Sequence, residues 1–599
     1  MEMNDHHGED RSPIDNIPTS TVTSLYTNGY PLIKSPSDVI KSHFSNGFCH
    51  RLQYKFKSKL DPFEIITKKE LDIAAEFGRF PYRPSNLFLK IFYNVIRTLE
   101  YDPLGGRVSP SLIGSSGIIP LTIISTIPDI MRHYYQVIVN AQKEILFATM
   151  YWERSESANV IRRAFQDLDK RANAEHRHVI IKLMIDHPNI INSVQYHSIL
   201  HPTKWSDYNL PTPDEIPNIS LEVHNYHHFI MGTFHSKFLI VDRRVVLLNS
   251  NNIQDRPNLE MMSQYEGEIV NSFYDTFLIS WSIPFQPNLV CLNDNPLIEQ
   301  SRFEYLENEI PLQRFPFDHI NPTNNKQNSS SLVDRIFDFH QSSKLSNIFI
   351  KSSTSFHKKF SNEQIEKLTS EFTPFIFHRS HQPFPIVLVN RSPHGTPMHR
   401  NKTNPQNTAW ISAFKFAEKS IFIQTPTFNA SPAIEGIIDA CRRGIKVTLW
   451  LGWGFNDLKE GRGTFQGGTN KQVVKKLYKK LKKIQNGIEN NLEVFWYVAK
   501  DQMNSIHFSQ KKRNCHIKFM SIDDQVAIMG NANMDSFSWF HSQEINTMID
   551  SPLIVQDWIN GLYKNQSTNI YGKLNNDGEW CENNQQSQKQ SFSSITNKL

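Results

Sequence analysis

The sequence has few cysteines, and their arrangement excludes the sites that cysteine usually builds. They are odd in number, widely spaced and form no Cys-x-x-Cys pair; the five are Cys49, Cys291, Cys441, Cys515 and Cys581. A disulfide framework or a cysteine-based zinc site is therefore not expected. A reducing, intracellular setting is the simpler interpretation.

Long apolar runs are also absent from the sequence. The longest apolar stretch, residues 113–127, is interrupted by Ser115, Ser116 and Pro120. It is shorter than the roughly 20 apolar residues that a membrane-spanning helix needs. The first residues are polar and lack the apolar segment of a signal peptide. We expect a cytoplasmic protein, or one bound peripherally to a membrane, with neither a signal peptide nor a transmembrane helix.

No strong excess of one charge is present either. The formal net charge is +5 over 599 residues, which permits an anionic substrate. A protein built to bind nucleic acid usually carries a concentrated basic face, so this balance does not favour a nucleic-acid partner. The length suggests two to four domains.

What the sequence does contain is the pattern His-x-Lys-x-x-x-x-Asp, once in each half of the chain. Each copy is followed by an Asn 17 residues after its His. The residues that match are His235, Lys237, Asp242 and Asn252 in the first copy, and His516, Lys518, Asp523 and Asn533 in the second. Two imidazoles and two ammonium groups could therefore meet in one pocket.

The similarity between the halves extends upstream of these motifs. Residues 141–149 align with 417–425, and each segment is followed by a helical stretch and a second apolar strand. Lys143 precedes His235 by 92 residues, and Lys419 precedes His516 by 97. Matching order and spacing predict a duplicated α/β domain, each copy with a mixed sheet flanked by helices.

Each motif is typical of a β-hairpin whose turn contains the Asp. His and Lys, two residues apart on a strand, would point to the same face. Asp242 and Asp523 lie at the turns, where we expect them to hold the turn or to pair with a neighbouring base.

These groups suit chemistry on a phosphodiester. A neutral imidazole can attack phosphorus, and a protonated one can supply the proton of the leaving group. Lysine and asparagine donors would stabilise the charge that builds on the phosphoryl oxygens. An imidazole in this role needs its far nitrogen held. The candidates are Glu266, 31 residues after His235, and Glu544, 28 residues after His516, with Glu268 less favoured than Glu266.

Tyr151 and Trp152 follow the first apolar strand of the first copy. They are candidates for substrate contact, and a role as core aromatics is equally compatible with the sequence.

The doubled motif resembles the phospholipase D superfamily. Residues 530–535, with Ser538 and Glu544 following, are similar to cardiolipin-synthase-like members, whereas residues 252–255 and 265–267 resemble phospholipid-acting members. The resemblance implies two domains packed about a pseudo-twofold axis, one active site formed within one chain, no metal cofactor and a phosphohistidine intermediate. It also implies that His235 is the nucleophile and His516 the general acid.

Two positions depart from the family pattern. Asn249 stands where a small glycine is typical, and Phe537 stands where cardiolipin-synthase-like chains tend to have arginine. The larger side chain of Asn249 could hinder the approach of the backbone to a phosphate. Phe537 weakens the argument that this chain shares the substrate of the cardiolipin-synthase-like subfamily.

The predicted domains are an N-terminal flank that is partly disordered (1–112), a first phospholipase D-like domain (113–310), a linker and insertion (311–384), a second such domain (385–570) and a polar tail (571–599). The leading function is hydrolysis of phospholipids or transfer of phosphatidyl groups to an alcohol. A nuclease acting on DNA or RNA, or an inactive membrane scaffold, are the alternatives. Seven lysines between Lys471 and Lys483 predict a basic amphipathic helix, which is either a solvated domain surface or a contact with an anionic membrane.

Overall fold

The computed structural model describes residues 17–28, 35–44, 65–186, 197–228, 230–294, 371–455, 467–484, 486–508 and 514–580. Most of the predicted linker and insertion (311–384) and the part of the polar tail beyond residue 580 lie outside the described residues.

In chain order, the α-helices of the described residues are α1 (Val22–Asn28), α2 (Pro36–Phe44), α3 (Lys68–Gly78), α4 (Asn86–Tyr101), α5 (Ile127–Val139), α6 (Glu156–Ala174), α7 (Ile269–Trp281), α8 (Pro405–Phe416), α9 (Ser431–Arg442), α10 (Asn470–Ile484), α11 (Ser536–Phe540), α12 (Pro552–Lys564) and α13 (Thr568–Tyr571).

The strands form two sheets. In chain order they are β1 (Gly114–Gly117), β2 (Leu121–Ser125), β3 (Glu144–Thr149), β4 (Val179–Ile185), β5 (His197–Ile199), β6 (Ile219–Tyr226), β7 (Phe238–Val241), β8 (Val245–Asn249), β9 (Glu260–Glu266), β10 (Phe375–Phe377), β11 (Phe384–Leu388), β12 (Ser420–Thr425), β13 (Lys446–Leu451), β14 (Leu492–Trp496), β15 (Phe519–Ile522), β16 (Val526–Gly530) and β17 (Asn546–Asp550).

The two sheets repeat one strand order. The first runs β10-β2-β9-β8-β7-β3-β4-β6-β5 and the second runs β1-β11-β17-β16-β15-β12-β13-β14. In both, three neighbouring strands are parallel (β3-β4-β6 and β12-β13-β14) and the other pairs are antiparallel. Both sheets are mixed, and helices such as α6 and α9 pack beside them, so the predicted duplicated α/β fold is confirmed.

One strand of each sheet comes from outside the domain limits expected from the sequence. β1 pairs with β11, with Gly114 opposite Val387, so it belongs to the second sheet although it lies within 113–310. β10 pairs with β2, with Phe375 opposite Ile123, so the predicted insertion supplies the edge of the first sheet. Sequence spacing alone does not show which sheet an isolated short strand joins.

The predicted flank and tail also pack against the domains. α4 places ten buried residues against α8 and its surroundings, and its Ser85 cap accepts a bond from the Phe88 amide. The Leu574 amide donates to Val494 at 2.9 Å, which attaches the segment after α13 to the second sheet. Residues 571–580 are therefore part of the second domain and not a free tail.

The lysine-rich segment forms α10, as the sequence predicts. Its apolar side chains, including Val474, Leu477 and Leu481, are buried against the second domain, and its seven lysines are exposed. Within the described ranges, no helix has the length and apolar character needed to cross a membrane.

Candidate active site

The two motif histidines lie where each domain reaches into the other. The His235 amide donates to the carbonyl of Gln543 at 2.9 Å, and the His516 amide donates to that of Leu259 at 2.8 Å. β7 begins at Phe238 and β15 at Phe519, so each His and Lys precedes its strand instead of lying on it. The hairpin prediction is right for the strands but wrong for these two residue pairs, because the backbone amides of the histidines bond to the opposite domain.

Each imidazole contacts a carboxylate of the opposite domain. Nδ1 of His235 lies 2.7 Å from Oε2 of Glu544, and Nδ1 of His516 lies 3.1 Å from Oε2 of Glu260. Both carboxylates are buried. A carboxylate at Nδ1 fixes the ring orientation and leaves Nε2 available for chemistry.

This pairing corrects the sequence prediction for Glu266. Its Oε1 accepts a bond from the side chain of Gln264, at the end of β9, whereas the carboxylate at His235 is that of Glu544. Glu544 does bind an imidazole, but that of the first copy. Glu260, at the other end of β9, was not predicted from the sequence.

Glu260 and Glu544 are equivalent positions of the repeat. The Ser250 amide bonds to the carbonyl of Met261, and the Asn531 amide bonds to that of Ile545, so the residue before each acceptor is the glutamate. Glu260 also accepts a bond from the Ser250 hydroxyl at 2.5 Å. Burial alone would raise the pKa of Glu260. The charge and hydrogen bond of His516, together with the charge of Lys518, lower this pKa below its ordinary value.

Both motif lysines are buried beside their histidines. Nζ of Lys237 donates to the carbonyl of His235 at 2.7 Å, and Nζ of Lys518 donates to that of His516. Burial lowers the pKa of Lys237 to about 7 and that of Lys518 to about 8, and Lys518 further lowers the pKa of Lys237. Glu260 and Glu544 balance these charges, but an ammonium group has three donors, so each lysine keeps donors for an anion.

The imidazoles are neutral near pH 7. Burial lowers the pKa of His516 to about 4. It also lowers the pKa of His235, although the neighbouring carboxylates raise the pKa values of both rings. The charge of Lys518 acts on His235, and the charge of Lys237 acts on His516. The two copies of the motif therefore form one electrostatic site.

The two asparagines that follow the motifs are also buried here. Nδ2 of Asn533 donates to Asp535 at 3.2 Å. In the described part of the chain, Oδ1 of Asn252 and Oδ1 of Asn533 have no hydrogen-bond partner. Buried amide oxygens are costly to leave unpaired, so both side chains have bonding capacity for a bound group.

A further asparagine joins the two domains beneath the motifs. Oδ1 of Asn531 accepts from the Lys237 amide at 2.7 Å, and its Nδ2 donates to the carbonyl of Asn249 at 2.6 Å. The Asn249 side chain bonds to Asn251 and to the Tyr134 hydroxyl. Asn249 is therefore accommodated within its own domain by polar partners.

The motif aspartates stabilise the start of a neighbouring strand. Asp242 accepts from the amides of Gln142, Lys143 and Glu144, at 2.7, 2.6 and 3.0 Å. Asp523 accepts in the same way from the amides of residues 418–420. Both lie at the hairpin turns with positive φ and hold the turn, as the sequence predicts.

The two aromatic candidates differ in position. Trp152 is 3% exposed, and its Nε1 donates to the carbonyl of Tyr208 at 2.7 Å while its ring packs edge-on against Phe147. These contacts agree with the core role, one of the two that the sequence allows for Trp152. Tyr151 is half-buried, its carbonyl accepts from the amide of Ile253 next to Asn252, and its contact with substrate stays a prediction.

Two mixed sheets thus share one centre of paired His, Lys and Glu residues. Residues 410–563, in the second half of the chain, match the family model described as "Cardiolipin synthase, PLD-like domain". This segment contains the second copy of the motif, which is therefore similar to the phospholipase D-like domains of that family. No curated protein sequence matches the chain.

Solved structures that match parts of the chain include phosphatidylserine synthase from Haemophilus influenzae Rd KW20. It is 13% identical with a TM-score of 0.43, over 80% of this chain and 95% of that one. Nuc from Salmonella typhimurium, a phospholipase D family member, is 14% identical with a TM-score of 0.22, over 32% of this chain and 97% of that one. NucT from Helicobacter pylori is 18% identical with a TM-score of 0.21, over 28% of this chain and 87% of that one.

Proposed function

We propose that the chain is a phosphodiesterase of the phospholipase D type, which hydrolyses phospholipids or transfers their phosphatidyl group to an alcohol. The observation that carries the proposal is the pair of cross-domain bonds from His235 to Glu544 and from His516 to Glu260. These bonds leave two Nε2 atoms for chemistry beside two buried lysines. The active site is formed within one chain.

In the proposed first step, Nε2 of His235 attacks phosphorus. The bond from phosphorus to the headgroup oxygen breaks, and its electron pair leaves with that oxygen, which takes a proton from Nε2 of His516. In the second step, water or an alcohol gives its proton back to His516 and attacks the phosphohistidine, which returns His235 to its neutral form. Assigning His235 as nucleophile follows the family resemblance.

The electrostatics of the site support these roles. A nucleophilic imidazole has to be neutral, and burial keeps the pKa of His235 low. His516 has to be protonated to act as an acid, and an anionic phosphate between the rings would raise its pKa, because a nearby negative charge favours the charged form. Lys237 and Lys518 would donate to the non-bridging oxygens where charge builds.

A phospholipid is the substrate that we propose. The matched family model carries the description of cardiolipin synthase, and the motif flanks resemble those of phospholipid-acting members. The mild net charge gives no support for a nucleic-acid substrate.

We also propose that α10 contacts an anionic membrane surface. Its buried apolar face fixes the helix to the domain, so that the lysines project outward. Two of them have acidic partners, since Lys475 pairs with Glu579 at 2.9 Å and Lys482 pairs with Asp577 at 2.6 Å. The remaining lysines carry the proposed contact.

The test of the enzymatic proposal uses the full chain, with chelator present and a short alcohol added. Labelled phosphatidylcholine, phosphatidylglycerol and single-stranded DNA are supplied separately. Appearance of phosphatidic acid and of the phosphatidyl alcohol supports the proposal. Cleavage of DNA alone would assign a nuclease instead, and turnover of no substrate would favour an inactive scaffold. His235→Ala and His516→Ala are each expected to abolish turnover.

A further inference from the structure

A second group of arginine and histidine side chains lies beside the active site, next to Glu544. Its members come from the loop after β11 and from the segment between α11 and β17; we call it the histidine–arginine cluster, and it consists of Arg391, His394, His399, Arg400 and His541. The backbones of Arg391 and Glu544 form an antiparallel bridge, which places the cluster next to the partner of His235.

The members of the cluster are in direct contact. The His394 amide donates to the carbonyl of His541 at 2.7 Å, and Nδ1 of His541 lies 3.2 Å from the carbonyl of His394. The rings of His394 and His399 stack at a centroid distance of 3.4 Å and an angle of 14°. The guanidinium of Arg400 lies 4.9 Å above the ring of Phe540.

The cluster has unused hydrogen-bond donors. Arg391 is buried and donates through Nη1 to the carbonyl of Ser542 at 2.9 Å. Nε of Arg391 and Nδ1 of His394 have no hydrogen-bond partner among the residues that the structure describes. A buried guanidinium nitrogen without an acceptor indicates a place for a bound anion.

Positive groups surround these imidazoles. The charges that act on His399 are those of His394, Arg391 and His541, and burial with these neighbours lowers its pKa to about 4. The charge of Arg391 also lowers the pKa of His394. The pKa of His541 is lowered by the charges of Arg391, His394 and Arg400. His394 also acts on His228, from the loop after β6. Glu544 is the carboxylate that acts on the group, through Arg391.

We propose that the histidine–arginine cluster binds a phosphomonoester dianion, as free phosphate or as the headgroup of a lipid phosphomonoester. A monoester phosphate carries a charge of about −1.5 to −2 near neutral pH and offers three acceptor oxygens, whereas a phosphodiester carries a single charge. Arginine and protonated histidine are the side chains that pair with such a group. The described residues do not arrange these imidazoles as metal ligands.

The surroundings fit a lipid source of this phosphate. Met398, one residue before His399, is 84% exposed, and Ile230, in the loop after β6, is also exposed. The Met231 amide donates to the carbonyl of Gly395 at 3.2 Å, so the two loops lie together. Apolar side chains beside an anion site suit a headgroup whose acyl chains extend outward. If the proposed function holds, the phosphatidic acid released by hydrolysis belongs to this class.

Binding of phosphate to the cluster is tested in a background that lacks the catalytic lysines. The variant Lys237→Met/Lys518→Met removes the donors of the active site, so that its failure to turn over substrate does not affect the measurement. Titration calorimetry with inorganic phosphate at pH 8.0, where the dianion dominates, is expected to show binding accompanied by uptake of protons from the buffer, because the imidazoles become protonated as the anion binds. Adding His394→Asn/His399→Asn should weaken binding about tenfold or more.

Matched variants separate the cluster from general effects. His176→Asn changes an exposed histidine at positive φ, a conformation that asparagine accepts, and should leave binding unchanged. Arg400→Gln changes an exposed cluster member and should weaken binding without loss of fold, as checked by melting temperature. Equal phosphate affinity with and without His394→Asn/His399→Asn would overturn the proposal.

Two soluble lipids distinguish the sources of the phosphate. Dihexanoyl phosphatidic acid binding more tightly than inorganic phosphate assigns the lipid headgroup, and equal affinities assign free phosphate. Dihexanoyl phosphatidylcholine carries a phosphodiester and should bind at least about tenfold more weakly than phosphatidic acid. Phosphatidylcholine binding as tightly as phosphatidic acid would contradict a site for the dianion.

Discussion

His235 and Glu544 lie 309 positions apart in the sequence, and their side chains meet at 2.7 Å across the domain junction. The second copy repeats the relationship with the partners exchanged, since His516 meets Glu260. Each imidazole therefore depends on the opposite domain for the carboxylate that orients it. A change that separates the domains would remove both carboxylate contacts at once.

The cross-domain glutamates should be needed for activity. Replacing Glu544 by Gln removes the charge that raises the pKa of His235 and loosens the orientation of its ring. We expect Glu544→Gln and Glu260→Gln each to lower kcat by about 100-fold or more. In Glu544→Gln, the pKa of His235, followed by NMR, should move further down, which shifts the acid limb of the kcat/KM profile to lower pH.

Glu266→Gln is the matched control for this prediction. The Glu266 carboxylate accepts a bond from Gln264, and the residue lies at the opposite end of β9 from Glu260. Its variant should retain activity within about threefold of the parent chain, as expected for a change outside the site. A loss in Glu266→Gln equal to that in Glu260→Gln would contradict the assignment of the partners.

The error at Glu266 shows where sequence spacing fails. Glu544 follows His516 by 28 residues, whereas Glu260 and Glu266 follow His235 by 25 and 31, so both differ from 28 by three. The loop between Asn252 and Glu260 is shorter than the loop between Asn533 and Glu544, and counting residues does not reveal this. Only the backbone bonds of Ser250 and Asn531 establish which glutamates correspond.

The repeat itself is visible in the sequence because it is local. Hairpins, parallel strands and the amphipathic pattern of α10 follow from residue periodicity within short windows. The exchange of β1 and β10 between sheets depends on packing between distant segments, which periodicity does not encode. The same holds for Trp152, whose burial depends on Tyr208 and Phe147 and not on its neighbours in sequence.

The roles of the two histidines can be separated by the choice of leaving group. p-Nitrophenolate is a stable anion and leaves without a proton, whereas an alkoxide headgroup does not. With a p-nitrophenyl phosphodiester, His516→Ala should still release p-nitrophenol in one burst and accumulate acid-labile phosphoenzyme, since its second step is impaired. His235→Ala should give no burst.

The burst is measured by stopped-flow absorbance, and the phosphoenzyme by acid lability of label retained on the protein. The natural lipid serves as the control, with which neither variant should form product. A burst from His235→Ala together with its absence from His516→Ala would reverse the assignment and make His516 the nucleophile.

The buried lysines should set the basic limb of the pH profile. Their pKa values of about 7 and about 8 in the free site mean that both ammonium groups lose their protons as pH rises through this range. Because kcat/KM reports the free enzyme, it should fall above about pH 7, where Lys237 is the first of the two to lose its proton. Lys237→Arg keeps its charge at all these pH values and leaves Lys518, with its pKa of about 8, to set the decline, so the decline should begin at higher pH, even with a lower maximum.

Lys237→Met supplies the comparison, since it removes the charge and keeps an apolar stem. We expect it to lower kcat/KM by about 100-fold or more, as for loss of one donor to the developing charge. Its melting temperature should fall, because the buried carboxylates of Glu544 and Glu260 lose a compensating charge. Basic limbs that coincide in the parent chain and Lys237→Arg would show that another group controls them.

The exposed lysines of α10 should control binding to anionic membranes. A lysine near an anionic bilayer contributes about 1 kcal/mol, so removing four should weaken binding by about 100-fold or more at low salt. The variant Lys476→Gln/Lys479→Gln/Lys480→Gln/Lys483→Gln spares Lys475 and Lys482, which have acidic partners.

Lys68→Gln/Lys69→Gln, on exposed positions of α3, is the control and should bind like the parent chain. Co-sedimentation with vesicles of phosphatidylcholine containing phosphatidylglycerol measures the effect, and hydrolysis of a water-soluble phosphodiester should be unchanged in both variants. Equal sedimentation of the two variants would assign α10 to a solvated domain surface, because only a helix that contacts the lipid makes vesicle binding depend on these particular charges.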